Sequence, residues 1–466
     1  MPAFTLDEVL QAPGARLVAS GAEHFDDVVT DTRKIERGCL FIALRGERFN
    51  GEDFALDAAA DGAAGVVVSD DCPQEKLPEN ATVIRVHDTR DFYQELSHIW
   101  RMKFDIPVIA ITGSNGKTTT KDITASLLSV RYPVLKTQKN FNNEVGLPLT
   151  LLGLKPEHGA AVVEIGMRGL GQIARLAPIA APTCGIVTNV GETHVELLGS
   201  IQNVAKAKSE MVEAIEPGGT IVLNADNLYT ADMRAKAAPG VEVIMFGTGD
   251  AADVRGMYLR PKETSTEFDV DVMGTRMHLF LPMPGRHNVE NALAASLMAY
   301  LAGADPEKMR VVLTSFTGVE HRIEPVTSIN GVMYYNDSKA TNTDSAIKAL
   351  ETFDGHIVLI AGGDDKMTDL TEFMGLVNER VDDLILVGDA AQRFYKAAKA
   401  AGFSMSHVYG AGYSMERAVE IAKGLAHEPQ VVLLSPACAS FDMYDSFEQR
   451  GRDFKEIVRR LAGKEA

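Results

Sequence analysis

Residues 108–120, Val-Ile-Ala-Ile-Thr-Gly-Ser-Asn-Gly-Lys-Thr-Thr-Thr, constrain the fold of this chain more than any other stretch. They begin with an apolar, β-branched run that is typical of a buried strand, and a glycine turn follows it. After the turn, Ile123, Leu127, Leu128 and Val130 recur at helical spacing. In such a strand–loop–helix unit, backbone N–H groups of the loop and of the helix N-terminus face a bound phosphate. The stretch therefore predicts a nucleotide-binding α/β domain.

The predicted phosphate loop is a short one. Position 111 is Ile, where the standard six-residue loop begins with Gly, so the motif is Gly-x-x-Gly-Lys-Thr. Its lysine would add a positive charge beside the phosphates, and the threonine hydroxyl could hold Mg²⁺. An ordinary turn with a surface lysine is the alternative, but the flanking strand and helix favour the nucleotide site. The predicted phosphate-binding residues are Gly113, Ser114, Asn115, Gly116, Lys117, Thr118 and Thr119.

The composition indicates the number of domains and argues against some partners. At about 150 residues per domain, a chain of 466 residues is expected to form three domains. A net charge of −18 argues against general binding to nucleic acid or to an anionic membrane, and we expect neither. The sequence has no apolar run of about 20 residues and no signal-peptide pattern, so we expect no membrane span. Four scattered cysteines indicate reduced thiols and a cytoplasmic location.

The fold class predicted from the patterning is α/β with three domains. Residues 1–104 mix short strands and helices, which predicts a small α/β domain. Residues 105–322 alternate strand and helix, which predicts a doubly wound, P-loop ATP-binding domain. The alternation restarts over residues 323–466 and predicts a Rossmann-like domain. The glycines after its strands do not form a full dinucleotide fingerprint, so NAD is not expected.

Two polar residues follow strands of the second block. Glu164 lies near the carboxyl end of the strand predicted at residues 159–166, and His194 follows the next strand, residues 185–191. Ligands of doubly wound sheets bind at the carboxyl ends of the strands. We therefore expect Glu164 and His194 to face the phosphate loop, although a capping Glu and a surface His remain the alternative.

Two helices carry polar residues on informative faces. In the helix predicted at residues 200–215, Lys208 falls at the centre of the apolar stripe and Lys206 on the opposite side. An inward lysine is costly unless it is paired or neutralised. Either its stem extends to the surface, or it is held in the active site, where a carbamate would turn it into a metal-binding carboxylate. Asn288 and Asn291 share one helical face and could either bind a purine edge or cap the helix.

The turns of the first block are the remaining polar signals. Residues 31–33 and the loop 44–51 are both polar, and the loop holds Arg45 and Arg48 beside Gly46. Two arginines beside a glycine suit a phosphate or a nucleoside, but a solvated turn explains them equally well.

The motifs that carry a family resemblance span nearly the entire chain. In the first two blocks they are residues 31–33, 43–51, 112–121, 140–150, 164–166, 188–194 and 205–210. In the third block they are residues 336–342, 362–366, 435–442 and 447–451. The chain resembles the Mur ligases, the ATP-dependent amide-forming enzymes of peptidoglycan precursor synthesis. The first two blocks are similar to the members that add D-alanyl-D-alanine, and the third block is similar to those that add D-glutamate.

The resemblance implies a role for each matching residue. The loop would hold the ATP phosphates, Thr118 and Glu164 one Mg²⁺, and His194 with carbamylated Lys208 a second Mg²⁺. The residues implied to contact the adenine are Asn288 and Asn291, and those implied to reach ATP from the domain junction are Arg322 and Asp337. The implied catalytic set is Lys117, His194, Lys208 and Arg322. The implied substrate residues are Thr32, Arg33, Arg45, Gly46, Asn142 and Asn143 for the UDP-N-acetylmuramoyl-peptide, and Thr341, Lys366, Ser440 and Phe447 for the incoming amine.

The resemblance implies a monomeric ligase that forms an acyl phosphate and closes its domains over ATP. We favour D-Ala-D-Ala as the incoming amine, because the first two blocks recognise and activate the nucleotide-peptide; D-Glu addition is the alternative. A nucleotide-binding scaffold protein that has lost turnover would have eroded metal ligands, and those implied here are present. A folate-polyglutamating ligase is a further relative, but the UDP-type first block argues against it.

Overall fold

A computed structural model describes residues 2–46, 49–262, 265–316, 318 and 320–463. The predicted substrate loop 44–51 is thus described in part, since Glu47 and Arg48 lie outside the described residues. The described residues form four sheets, and none of these sheets crosses residue 104 or residue 322. The α/β fold class is confirmed, whereas the domain limits at these two residues stay a prediction. Within the described part, no helix is long and apolar enough to cross a membrane.

The first unit is built on a sheet with the strand order β2-β7-β6-β5-β4, in which only β2 runs antiparallel to its neighbour. The last helix of the unit joins it to the second unit, because the Arg101 guanidinium donates to the carbonyls of Ala180 and Ala181 at 2.9 and 3.1 Å. The strands are β1 (Phe4–Thr5), β2 (Arg16–Ala19), β3 (His24–Phe25), β4 (Val28–Val29), β5 (Leu40–Ile42), β6 (Gly65–Ser69) and β7 (Thr82–Val86), and the helices are α1 (Leu6–Val9), α2 (Ala55–Ala60) and α3 (Thr89–Arg101).

The second unit has a nine-stranded sheet in the order β16-β15-β14-β13-β12-β11-β8-β10-β9, with β8 third from one edge. The strands are β8 (Val108–Thr112), β9 (Val134–Lys136), β10 (Ala160–Glu164), β11 (Cys184–Val187), β12 (Thr220–Asn224), β13 (Glu242–Gly247), β14 (Val254–Pro261), β15 (Thr266–Val272) and β16 (Thr275–Leu281). The helices are α4 (Lys117–Leu128), α5 (Gly146–Leu152), α6 (Gln172–Ala180), α7 (Val195–Leu198), α8 (Ile201–Glu213), α9 (Leu228–Asp232), α10 (Arg286–Leu301) and α11 (Pro306–Thr314). Every residue of β8 is buried, as the apolar run predicted.

The strand–helix alternation predicted for the second unit fails at one edge of its sheet. Strands β14, β15 and β16 pair antiparallel, and no helix separates them. Buried and partly exposed residues alternate along β15, and Met273 and Gly274 turn the chain with positive φ. Period-two alternation before a short glycine turn is a hairpin signal, so this edge was predictable from the sequence.

The third unit has a sheet with the order β17-β18-β22-β19-β20-β21, parallel except for β17. An Asn330-Gly331 turn with positive φ joins β17 to β18. This second hairpin was not predicted, although Asn-Gly is a strong hairpin signal. The strands are β17 (Glu324–Ile329), β18 (Val332–Asn336), β19 (Ile357–Gly362), β20 (Val381–Val387), β21 (Val408–Gly412) and β22 (Val431–Leu434), and the helices are α12 (Thr343–Glu351), α13 (Thr371–Arg380), α14 (Ala391–Ala400), α15 (Met415–Leu425) and α16 (Phe447–Leu461).

Candidate active site

The loop between β8 and α4 has the geometry of a phosphate cradle. Gly113 and Gly116 adopt φ values of +149° and +81°. A Cβ at Gly113 would lie 1.9 Å from the Thr188 hydroxyl, and a Cβ at Gly116 would lie 2.3 Å from the Asn291 side-chain oxygen. Both positions therefore require glycine. Since α4 begins at Lys117, its free N–H groups face the loop, as the motif predicted.

Lys117 folds back over the loop that carries it. Its Nζ donates to the carbonyls of Gly113 and Ser114 at 2.5 and 3.1 Å. Burial lowers the pKa of Lys117 to about 8, an effect that nearby Glu164 opposes and Arg322 reinforces. The lysine thus lies where its charge would be compensated by a bound phosphate.

Glu164, at the carboxyl end of β10, is buried beside this loop. Its Oε1 makes no hydrogen bond to any described residue, and the Lys121 Nζ lies 3.7 Å from it. The Asn142 amide is 3.5 Å from the other oxygen. Among the described residues no group of three or more His, Cys, Asp and Glu side chains could hold a metal ion. Glu164 could therefore bind one only together with other ligands, such as the Thr118 hydroxyl and phosphate oxygens.

Lys208 and His194 form a second part of the site. Lys208 is buried on α8, and no described carboxylate lies within ion-pairing distance of its Nζ. Burial, with the charge of Lys117, holds the pKa of Lys208 well below its usual range. Burial and the two lysines also lower the pKa of His194 to about 4. The inward position of Lys208 is confirmed, a surface-reaching stem is wrong, and Lys206 is exposed as predicted.

The third unit contributes residues from its junction with the second. The Asp337 carboxylate accepts hydrogen bonds from the Ser435 hydroxyl at 2.7 Å and from the Ile323 amide at 3.2 Å. Burial raises the pKa of Asp337 to about 7. The Arg322 Nε is buried without a hydrogen-bond partner among the described residues, and burial lowers the pKa of this guanidinium. Arg322 therefore has donor capacity left for a ligand.

Lys339 was not among the predicted site residues, yet it lies at the centre of the cleft. Its Nζ donates to the Thr118 hydroxyl at 2.9 Å, and burial with the charge of Arg322 lowers its pKa to about 8. Ser345, in the first turn of α12, donates to Asn115 Oδ1 at 3.3 Å. The available signal was a lysine two residues after Asp337, within the motif at residues 336–342.

Two cavities meet at the phosphate loop. One, of about 600 Å³, lies between the second and third units and is lined by Gly116, Asn291, Arg322, Asp337 and Lys339. The other, of about 850 Å³, is lined by Lys117, Thr118, Asn142, Glu164, His194, Arg322, Lys339, Thr341, Lys366 and Phe447. Residues from both units line the two cavities, and Asn115, Gly116, Arg322, Lys339 and Ser345 line both of them. The two cavities together are called the cleft.

Several predicted site residues line neither of these two cavities: Gly113, Thr119, Asn143, Lys208, Asn288 and Ser440. The fully buried Asn288 side chain donates to the Pro284 carbonyl at 2.7 Å, so Asn291 alone of the two asparagines lines the cleft. Asn143 caps α5 by accepting hydrogen bonds from the Val145 and Gly146 amides. Ser440 is buried in the third unit, and Thr119 is buried within α4. A one-turn spacing puts Asn288 and Asn291 on the same helical face, but it does not tell which of the two faces the cavity.

The predicted UDP residues are in turns of the first unit and line neither cavity. Thr32 and Arg33 lie in a one-turn 3₁₀ helix (Thr32–Lys34), and the Arg33 guanidinium pairs with Asp31 at 2.8 Å. Arg45, beside Gly46, pairs with the buried Glu52 at 3.0 Å. Their role in nucleotide binding stays a prediction.

The site combines a glycine-rich phosphate loop, a buried carboxylate with one oxygen that no described residue hydrogen-bonds, and basic residues of the third unit that face the loop. These features define a P-loop enzyme of phosphoryl chemistry. Sequence patterns of three domain families match the chain in order: Mur ligase family, catalytic domain, over residues 24–101; Mur ligase middle domain over residues 111–299; and Mur ligase, glutamate ligase domain, over residues 321–438. The chain belongs to the Mur ligase family.

The similar proteins include ligases that add D-alanyl-D-alanine and ligases that add D-glutamate. The UDP-N-acetylmuramoyl-tripeptide--D-alanyl-D-alanine ligase of Synechocystis sp. is 42% identical over 289 residues, which are 62% of this chain and 61% of that protein. The UDP-N-acetylmuramoylalanine--D-glutamate ligase of Thermoanaerobacter sp. is 36% identical over 465 residues, 98% and 96% of the two chains. A crystal structure of MurF from Acinetobacter baumannii is similar with a TM-score of 0.82 at 25% identity, covering 98% of this chain and 100% of that one.

Proposed function

We propose that this chain is an ATP-dependent ligase that joins UDP-N-acetylmuramoyl-tripeptide to D-alanyl-D-alanine through an acyl phosphate. The observation that carries the proposal is the contact of Lys339 in the third unit with Thr118 of the phosphate loop. This contact puts the phosphate site and the side chains predicted for the amine in one cleft. We place the reaction in the cytoplasm and expect a monomer to perform it.

In the first step a carboxylate oxygen of the nucleotide-peptide bonds to the γ-phosphorus of ATP. The bond from that phosphorus to the oxygen bridging it to the β-phosphorus breaks, and its electrons leave with ADP. Lys117, Lys339 and Arg322 surround the cleft and offset the charge on the phosphoryl oxygens. Because bound phosphates favour protonated lysines, the lowered pKa values of Lys117 and Lys339 rise when ATP binds.

In the second step the amine attacks the acyl carbon and phosphate leaves from a tetrahedral intermediate. The amine loses one proton as the amide forms. Thr341, Lys366 and Phe447 line the same cavity as Lys117 and Glu164, so an amine bound there lies beside the acyl phosphate. Catalysis is then mainly a matter of position, since both reactants are held in one cleft.

The residues present fit two Mg²⁺ ions. Glu164 offers a buried oxygen with no hydrogen-bond donor from the described residues, Thr118 offers a hydroxyl, and His194 is neutral at neutral pH. Burial lowers the pKa of Lys208, which favours the neutral amine, the form that can add CO₂ and become a carbamate ligand. Bound Mg²⁺ would supply positive charge to the carboxylate and the phosphates.

D-Glutamate addition to UDP-N-acetylmuramoyl-L-alanine is the second candidate. It is favoured by the matches to D-glutamate-adding relatives over nearly the whole chain. Lys366 and Thr341, which the resemblance assigns to D-glutamate, line the cleft. The D-alanyl-D-alanine-adding relatives, at up to 42% identity, and the MurF structures favour the dipeptide instead.

Phosphate release with each nucleotide precursor paired with each amine distinguishes the two candidates. We expect ATP-dependent release with UDP-N-acetylmuramoyl-tripeptide and D-Ala-D-Ala, and none when either is omitted. Release only with UDP-N-acetylmuramoyl-L-alanine and D-Glu would replace the proposed function with the second candidate. No release in any pair would support the scaffold alternative.

A further inference from the structure

The turn that carries Lys366 is held at points on both sides of the lysine. On one side, the Asp364 amide donates to the Ala439 carbonyl at 3.0 Å. On the other, the Arg393 NH1 group donates to the Thr368 carbonyl at 2.9 Å. The tip between these points thus has little freedom, although Lys366 itself is exposed.

A bidentate ion pair lies between these two points. The Arg393 guanidinium, on α14, donates from Nε and NH2 to the two oxygens of Asp365, each at 2.6 Å. Asp365 also accepts a hydrogen bond from the Met367 amide at 2.9 Å, so its carboxylate ties the turn to itself and to α14. Such fork-to-fork pairs fix orientation as well as position.

Lys366, next to Asp365, has no such partner. None of the described carboxylates lies within ion-pairing distance of its Nζ, and the lysine lines the larger cavity. A flexible lysine loses side-chain and backbone freedom when it binds an anion. A turn that is already fixed removes the backbone part of that cost.

We propose that Asp365 and Arg393 are positioning residues that fix the turn carrying Lys366. The Lys366 ammonium group is then already in position to bind the carboxylate of the incoming amine. The inference rests on the proposed function, because it takes the third-unit side of the cleft as the amine site. The pair touches neither reactant and acts only through Lys366.

The test compares KM values in wild type, Arg393→Met, Arg393→Lys and Asp365→Asn. We expect the KM for D-Ala-D-Ala to rise about tenfold in Arg393→Met, with a smaller rise in Arg393→Lys, which keeps the charge but not the fork. The KM for ATP and kcat should change less than about twofold, because the turn does not hold the phosphates. Arg460→Met, which removes an exposed pair with Glu416 in the same unit, is the matched control and should leave every constant unchanged.

Two further measurements separate positioning from general damage. With D-alanyl-D-alaninamide, which lacks the carboxylate, wild type and Arg393→Met should have the same KM. The double variant Lys366→Ala/Arg393→Met should be no worse than Lys366→Ala alone. An unchanged dipeptide KM in Arg393→Met, an equal rise with the amide, or additive losses in the double variant would overturn the proposal.

A failure of the proposed function can be distinguished from a failure of the positioning proposal. If wild type uses only D-Glu, the same KM comparisons are made with D-Glu, and a rise in Arg393→Met would still support the positioning pair. If Arg393→Met does not fold, as judged by its thermal unfolding midpoint, Asp365→Asn decides, since it keeps the side-chain volume.

Discussion

Lys208 has an unusual environment for a lysine, because its amine is buried and its charged neighbour is another cation, Lys117. A protonated amine there is costly, whereas a carbamate would carry a negative charge among positive ones. This environment is the physical reason to propose the modification.

Lys208→Ala should lower ligase activity about 100-fold or more, because a proposed metal ligand is lost. A small carboxylate such as formate should restore part of the activity by occupying the space left. Lys206→Ala, on the exposed side of the same helix, is the control and should retain activity. Full activity in Lys208→Ala, measured as phosphate release, would refute the carbamate.

Asp337 gives a prediction about stability and pH. Burial raises its pKa to about 7 from 3.8, so the native state binds this proton more tightly than the unfolded state. The stabilisation from the bound proton is complete below about pH 4 and is lost as the pH rises towards 7. Arg322 and Arg450, the charged groups that oppose the shift, limit its size.

Urea unfolding between pH 5 and pH 8 measures this effect. The free energy of unfolding of wild type should fall with rising pH by more than that of Asp337→Asn, which cannot ionise. The difference between the two slopes is expected to be of the order of 1 kcal/mol per pH unit at most. Parallel curves would contradict the raised pKa.

Among the elements, the phosphate loop and α4 depend on close contact with α10. Gly116 lies against Asn291 of α10, and the Thr120 hydroxyl on α4 donates to the same Asn291 oxygen at 3.2 Å. The phosphate loop, α4 and Asn291 are therefore packed in direct contact.

Gly116→Ala should destabilise the protein and abolish nucleotide binding, because it adds a contact with Asn291 to the cost of positive φ. Gly171 precedes α6 with φ of +80° and has nothing within 4 Å of a built Cβ, so Gly171→Ala carries the φ cost alone, about 1–2 kcal/mol. Thermal unfolding and ATP-analogue binding should both show the larger loss in Gly116→Ala. Equal losses in the two variants would mean that the Asn291 contact has no consequence.

How far the elements follow from the sequence depends on whether the signal is local. The loop 113–116, the inward Lys208 and the presence of β10 and β11 follow from spacing and periodicity. The end of β11 does not, because the strand was predicted to reach residue 191 and ends at Val187. The roles of Asn288 and Asn143 could not be predicted, because an asparagine amide can bind a ligand or hydrogen-bond to the nearby backbone equally well. Lys339 could not be placed against Thr118 from local patterns, since 221 residues separate the two.

In the whole molecule, contacts between the second and third units close the cleft. Lys339 contacts Thr118, Ser345 contacts Asn115, and the Thr193 hydroxyl donates to Asp344 at 3.4 Å. These polar contacts are few, so we expect the third unit to open and close over the reactants.

Small-angle scattering should detect this motion. A non-hydrolysable ATP analogue should reduce the radius of gyration of wild type, and the reduction should be smaller in Lys339→Met, which loses the contact with Thr118. Lys423→Met, on α15 of the same unit, should respond as wild type does. The same reduction in Lys339→Met as in wild type would show that Lys339 does not hold the closed state.

The central claim is that a carboxylate of the nucleotide-peptide attacks the γ-phosphate in this cleft. An acceptor labelled with ¹⁸O in that carboxylate tests it most directly, with the released phosphate examined by mass spectrometry. We predict one ¹⁸O atom in each phosphate, transferred when the amine displaces the acyl phosphate. Product formation with unlabelled phosphate would contradict the account.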